Sequence, residues 1–159
     1  MPDMLVKLYN LKPSDPVVDA LAEKGIQIRR AMAPDKQRIL AWIAEHSSIS
    51  AEGEADVCFG SHPISLFVAT EGKQIIGYAC YNATAPDFFG PTRVLDSKQG
   101  LGVGKALLLR SLEALRDEGY AYAIIGGVGP VAFYQKCVDA ILIDGSTPGI
   151  YRDYLGSQA

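Results

Sequence analysis

Residues 99–105 read Gln99, Gly100, Leu101, Gly102, Val103, Gly104 and Lys105, three glycines in alternation at the entrance to the most helix-prone stretch of the chain, 106–118. Glycine lets backbone N–H groups turn outward and places no Cβ between them and a ligand. The first turn of a helix adds orphan donors and a partial positive charge. Together these are the chemistry of a phosphate cradle. A plain turn before a helix needs one glycine rather than three. The helix that follows is well specified: Val103, Leu107, Leu112 and Leu115 recur at helical spacing, Arg110, Glu113 and Arg116 face elsewhere, and Gly119 is placed to end it.

Spacing decides which cradle this is. A P-loop requires Gly, four residues, then Gly-Lys-Ser/Thr. Counting back from Gly104 and Lys105 puts Gln99 where the first glycine belongs, and Ala106 replaces the magnesium-binding hydroxyl. A dinucleotide fingerprint requires Gly-x-Gly-x-x-Gly with another half-domain downstream. Here Gly100, Gly102 and Gly104 are spaced otherwise, and only 55 residues follow. Both nucleotide readings fail at specific positions.

The run from Gln99 to Gly104 resembles the Arg/Gln-x-x-Gly-x-Gly/Ala signature of the GNAT superfamily of acyl-CoA-dependent N-acyltransferases. Its surroundings agree in order. Val94 lies five residues before Gln99 at the end of an expected strand, and Ala132, Phe133, Tyr134, Gln135 and Lys136 follow a strand-like 121–126. These look like the family's fourth strand, fifth strand and following helix, and the resemblance spans residues 26–144.

The resemblance implies an α/β (α+β) single domain, with a mixed, mostly antiparallel sheet flanked by helices and two central strands splayed to admit coenzyme A. It implies transfer of an acetyl group from acetyl-CoA to a primary amine, on a small molecule or a peptide, by direct attack through a tetrahedral intermediate. Gln99, Gly100, Leu101, Gly102, Val103, Gly104 and Lys105 would hold the pyrophosphate, and the backbone of Val94 and Leu95 would pair with the pantetheine arm. A backbone N–H there would also polarise the thioester carbonyl. Tyr134, in a Phe-Tyr-x-Lys motif, would protonate the leaving sulfur, as a phenol of pKa near about 10 can do.

Two positions depart from the family pattern. Relatives often carry a glutamate on the fourth strand, where this chain has Thr92 and Arg93, and an asparagine near the turn that follows the fifth, where it has Gly127, Val128, Gly129 and Pro130. No general base is assigned. Asp87 and Asp96 read as solvated turn residues, and a water held by Thr92 or by backbone carbonyls would serve equally. These departures keep open a non-catalytic acyl-CoA-binding sensor or regulatory module.

The elements that must position these residues follow from pattern. Residues 1–25 form an N-terminal extension before the acetyltransferase domain at 26–159: an apolar stretch 5–8, then Asp15 as N-cap and Pro16 opening a helix that closes at Gly25. This extension is suited to covering a sheet edge or serving a homodimer. Ile26, Ile28 and Met32 mark a strand, and Pro34 and Asp35 open a helix carrying Ile39, Leu40, Trp42 and Ile43. Residues 47–62 are irregular with a short helix at 54–59, a region that in such families shapes the acceptor pocket. Residues 64–70 and 74–81 read as a hairpin, with Ile76, Tyr78 and Cys80 on one face and Ile75, Ala79 and Tyr81 on the other. Gly90 and Pro91 interrupt the next strand. Tyr151 and Tyr154 are placed either to lie against the pocket or to pack.

Composition narrows the class. At 159 residues and 48% hydrophobic, the chain suits one well-buried core. A net charge of −3 without a Lys/Arg cluster argues against a nucleic-acid surface. Cys58, Cys80 and Cys137 form no Cys-x-x-Cys pair, and His46 and His62 lack partners at ligand spacing, so no metal is expected. The start carries no signal-peptide pattern and no apolar run reaches spanning length, which gives cytoplasmic residence and no membrane partner as expectations.

Overall fold

Short apolar runs punctuated by glycine and proline assemble into one seven-stranded sheet in the computed structural model, which describes residues 1–156. Residues 157–159, the end of the expected 26–159 domain, lie outside the described residues. The strands are β1 (Met4–Lys7), β2 (Ile26–Arg30), β3 (Leu66–Glu71), β4 (Gln74–Tyr81), β5 (Phe88–Val94), β6 (Tyr122–Ile125) and β7 (Ile141–Leu142). The helices are α1 (Asp15–Glu23), α2 (Lys36–His46), α3 (Ile49–Cys58), α4 (Val103–Asp117) and α5 (Val131–Val138). The sheet order is β2-β3-β4-β5-β6-β1-β7, antiparallel throughout except for the parallel pair β5 and β6. That pair is joined by α4, the long crossover that parallel strands require.

Two cores lie on opposite faces of the sheet. One gathers Leu21 of α1 and Val103, Ala106, Leu107, Leu108, Leu112 and Leu115 of α4 with β1, β6 and parts of β3 to β5. The other gathers Ile39, Leu40 and Ile43 of α2 and Ala51, Ala55 and Cys58 of α3 with Leu66, Val68, Tyr78 and Cys80. Full burial of a leucine is worth about 1.5–3 kcal/mol, so α4, with five leucines at or near zero exposure, is the most heavily anchored element. Its buried Ser111 is satisfied within the helix, donating to the Leu107 carbonyl at 2.8 Å.

Several local expectations change. Ser14, not Asp15, precedes α1 as its N-cap; the Ser14 hydroxyl donates to the Glu113 carboxylate, and Asp15 instead pairs with Arg110 at 2.9 Å, so the helix start is tied to α4. The N-terminal stretch enters the sheet: β1 pairs with β6 on one side and β7 on the other. The irregular region contains a ten-residue helix, α3, capped by the Ser48 side chain accepting from the Ala51 N–H at 3.0 Å.

On β4 the faces of two isoleucines are exchanged. The β3–β4 register shifts between Ala69 and Thr70, so Ile76 has no partner between Gly77 and Ile75. One inserted residue reverses the alternation beyond it. Ile76 therefore packs with Ala79 and Tyr81, and Ile75 lies against the core of Tyr78 and Cys80.

The turn between β4 and β5 holds a strained carboxylate. Asp87 sits at φ +67°, its Oδ1 is buried with no partner among the described residues, and burial, then the Glu118 charge, push its pKa up to about 6. A raised pKa means that folding favours the protonated form, so its stabilisation is present below the unfolded value and lost as pH rises through about 6. Asp87→Asn tolerates the same backbone and removes the charge. It should raise the melting temperature at pH 8, and the gain should shrink towards pH 5.

Candidate active site

Pro91 has no N–H to give to a ladder, and Gly90 adopts φ +117°, so regular pairing on both sides of β5 ends there. Towards β6 the parallel pairing consists of Phe88 with Ile124 and Phe89 with Ile125. Towards β4 pairing resumes past a register shift, with Ala79, Tyr78 and Gly77 opposite Thr92, Arg93 and Val94. From Gly90 to Val94 the strand thus keeps β4 and leaves β6, and a gap opens in the middle of the sheet.

The ladder also decides which backbone groups face the gap. Successive residues of an antiparallel strand direct their N–H and C=O to alternate sides. The Leu95 N–H donates to the Ile76 carbonyl at 2.9 Å, and the Leu95 carbonyl accepts from the Lys98 N–H at 2.9 Å. Leu95 therefore has no free backbone donor, contrary to expectation. Val94, one residue earlier, turns its N–H and C=O away from β4 and into the gap.

Beyond Val94 comes the glycine loop. Gly100 and Gly102 lie at φ +82° and +98°, backbone that side chains other than glycine rarely adopt. None of the six consecutive N–H groups from Gly100 to Lys105 has a hydrogen-bond partner among the described residues; the first donor of the helix to find one is Ala106, bonded to Gly102 at 3.0 Å. The buried Val103 side chain anchors the loop, while Gln99, Leu101 and Lys105 are exposed. The loop stands beside the gap: a Cβ on Gly104 would lie 3.8 Å from Val94 Cγ2 and 3.5 Å from the Phe133 ring.

Where β5 and β6 part there is a cleft of about 590 Å³, lined by Phe89, Thr92, Gly126, Glu54, Tyr134 and Tyr151 among others. The Tyr134 ring is buried, edge-on to Phe133 with centroids 5.1 Å apart and to Phe89 at 6.3 Å. Its hydroxyl makes no hydrogen bond among the described residues. Burial, then the neighbouring Cys137, push its pKa up to about 12, so the phenol stays protonated across the physiological range.

The turn after β6 is pinned by its own backbone donors. The Gly126 N–H donates to Phe89 at 3.3 Å, the Gly127 N–H to Asp3 Oδ1 at 2.9 Å and the Val128 N–H to Pro2 at 2.7 Å. A Cβ at position 126 would stand 2.9 Å from the Phe88 ring, so a larger residue there would force the ring to move.

One cleft residue had no signal in the sequence. Glu54 projects from α3, where its Oε2 accepts from the Thr84 hydroxyl and from Tyr151 Oη at 3.4 Å. Those partners lie 30 and 97 residues away, and neither belongs to a recognisable motif. Thr92 is occupied, donating to the Tyr78 carbonyl at 2.9 Å. His46, the last residue of α2, stacks near Trp42 at 4.5 Å. Among the described residues no cluster of three His, Cys, Asp or Glu side chains could hold a metal, and no helix is long and apolar enough to cross a membrane.

Comparison with known proteins places this architecture. The acetyltransferase (GNAT) family matches residues 27–137, well over half of the chain, and the chain belongs to that family. No curated protein sequence matches it. Among solved structures it is similar to the glucosamine N-acetyltransferase region of a fungal multi-domain GH3 β-N-acetylglucosaminidase, with TM-score 0.69 and 12% identity over 89% of this chain and 19% of that one. It is also similar to a GCN5-related N-acetyltransferase from Sphaerobacter thermophilus, with TM-score 0.63 and 16% identity over 89% of this chain and 48% of that one. The chain thus spans less than half the length of either, and at such identity the likeness is one of fold.

The glycine geometry separates two substitutions. At Gly102 an alanine meets positive φ and a Cβ 3.1 Å from Val17, so Gly102→Ala should cost about 1–2 kcal/mol. At Gly104 the contact is ordinary and the position helical, so Gly104→Ala should be neutral or stabilising by up to about 1 kcal/mol. Urea denaturation of the two variants checks both signs.

Proposed function

We propose that this chain transfers an acetyl group from acetyl-CoA to a primary amine by direct attack of the amine on the thioester. The observation that carries the reading is the alignment along one gap of three unsatisfied features: the free N–H groups of the loop from Gly100 to Lys105, the Val94 backbone turned away from β4, and the unpartnered Tyr134 hydroxyl in the cleft. Each accepts a different part of acetyl-CoA. The loop suits the pyrophosphate, because its donors and the α4 dipole favour negative charge. The Val94 edge suits the amide groups of pantetheine, which would extend the sheet as a strand does. Tyr134 suits the sulfur, since a phenol kept neutral by burial can give its proton to a departing thiolate.

Amine attack forms the new C–N bond, the C–S bond breaks, the sulfur leaves with a proton from Tyr134, and the proton released by the nitrogen passes through solvent, which reprotonates the Tyr134 phenolate. No acyl-enzyme is required. The alternative, a CoA-binding module without turnover, predicts acetyl-CoA binding with no CoA release for any amine.

Two variants test the assignments. Lys105→Glu places an acid in the first turn of α4, which stabilises a free helix by about 0.3–1 kcal/mol but opposes a pyrophosphate. Its unliganded melting temperature should hold or rise while its acetyl-CoA affinity, read by calorimetry, falls by about tenfold or more. Tyr134→Phe keeps the ring against Phe89 and Phe133 and loses a hydroxyl that makes no hydrogen bond among the described residues. It should leave acetyl-CoA affinity intact and lower kcat by more than about tenfold. Unchanged turnover would make Tyr134 a packing residue.

A further inference from the structure

A second cavity, of about 530 Å³, opens where the first turns of α2 pass over β2, β3 and the start of β4. Its aliphatic floor is Ile39, Val68 and Ile75, which belong to the core under α2 and α3 or pack against it. The glycine loop and α4 are anchored in the opposite core, so the sheet separates the two places. Three cationic side chains from separate elements line the cavity: Arg29 of β2, Arg38 of α2 and Lys73 of the turn between β3 and β4. Among the described lining residues Asp35 is the sole acid. Its Oδ2 accepts from Arg29 Nη1 at 2.7 Å and from the Met32 N–H at 2.9 Å. The Arg29 bond, above all, holds its carboxyl below the usual carboxylate range, so Asp35 stays ionised and fixes the Arg29 guanidinium. The neighbouring acids are spent elsewhere, Asp56 on Lys36 at 3.0 Å and Glu71 on Lys98 at 2.7 Å. Arg38 touches Asp35 only through its field, and neither Arg38 nor Lys73 has a hydrogen bond or ion pair among the described residues. Gln27 and Thr70, opposite each other in the β2–β3 register, add side-chain donors that are likewise unspent.

We propose that this cavity binds a small phosphate monoester, its dianionic phosphate held by Arg38 and Lys73 beside the fixed Arg29, and its apolar body on Val68 and Ile75. Three cations against one acid leave two positive charges without a partner on the lining, and like charges brought around one cavity repel. A doubly charged anion relieves that repulsion and a single carboxylate relieves half of it. Guanidinium forks and an ammonium are the side chains that bind phosphate oxygens by charge-assisted hydrogen bonds. The aliphatic floor separates an ester from inorganic phosphate, because only the ester covers it and removes apolar surface from water. The site is independent of the acyl-transfer reading, since none of its residues lines the gap between β5 and β6.

The test titrates the protein with phenyl phosphate, and with benzoate and inorganic phosphate for comparison, read by calorimetry and by two-dimensional amide NMR. Wild type should bind phenyl phosphate with a Kd of about 1 mM or tighter, moving the amide signals of Gln27, Thr70, Gly72 and Lys73. Benzoate and inorganic phosphate should bind at least about fivefold more weakly. Arg38→Gln and Lys73→Gln, both at exposed positions, should each weaken phenyl phosphate by about threefold and together by about tenfold or more. Melting temperature and acetyl-CoA affinity should not change in either. Because the glycine loop also suits phosphate, the titration is repeated on Lys105→Glu, which should bind phenyl phosphate as wild type does.

No binding of phenyl phosphate up to about 10 mM overturns the proposal. So does equal affinity in wild type and the Arg38→Gln, Lys73→Gln double variant, or a set of shifted signals confined to residues 100–105. Benzoate binding as tightly as phenyl phosphate overturns the dianion, and inorganic phosphate doing so overturns the ester. Phenyl phosphate lost in the double variant with acetyl-CoA affinity intact supports the second site, whether or not any amine is acetylated. Acetyl-CoA turnover with no response at Gln27, Thr70, Gly72 and Lys73 keeps acyl transfer and removes the site.

Discussion

The rest of the molecule depends on β5 and β6 pairing for two residues and then parting. A sheet interior with unpaired backbone is costly, because a buried N–H or C=O without a partner forfeits about 1–3 kcal/mol. The cost is avoided here by keeping the break open to a cleft rather than burying it. Pro91 contributes directly, since it has no donor to lose. The result is a strand satisfied on its β4 side and available on the other, a geometry that a ligand with amide groups can complete.

A sheet broken in this way must be held by something else, and two elements do it. The crossover helix α4 lies over both halves, with its leucines in a core that reaches from Ala69 of β3 to Ile125 of β6. The second is β1. On the far side of the gap β6 has four residues, of which only two meet β5, and an isolated short pair is marginal in water. Insertion of β1 gives β6 a full antiparallel partner, from Met4 with Ile125 to Lys7 with Tyr122, and supplies Asp3 to fix Gly127. The segment that precedes the family match is therefore part of the sheet that forms the site.

What could be read from the sequence was local. The glycine loop, the periodicity of α4 and the breaker pair Gly90 and Pro91 carry their consequences within a few residues, so loop, helix and strand interruption are visible in one dimension, while the splay is an expectation from the family resemblance. What could not be read depends on distant pairing. Nothing near Ile75 and Ile76 announces that a bulge against Ala69 and Thr70 exchanges their faces. The Leu95 N–H looks as free as that of Val94 until the β4 register shows it spent on Ile76. Glu54 is one acid among several in a helix expected only as a short piece at 54–59, and only the approach of Thr84 and Tyr151 distinguishes it.

Phe89 joins the break in the sheet to the chemistry at its mouth. It is the last β5 residue to meet β6, it accepts the Gly126 N–H that starts the glycine turn, and its ring lies against Tyr134. The same packing that ends the strand pairing desolvates the phenol and keeps it protonated until about pH 12. A group so placed can donate a proton and cannot serve as a base near neutrality. The cleft offers two different environments: apolar rings around the phenol, and hydroxyls around one oxygen of the Glu54 carboxylate. In this fold that division follows from where β5 stops following β6.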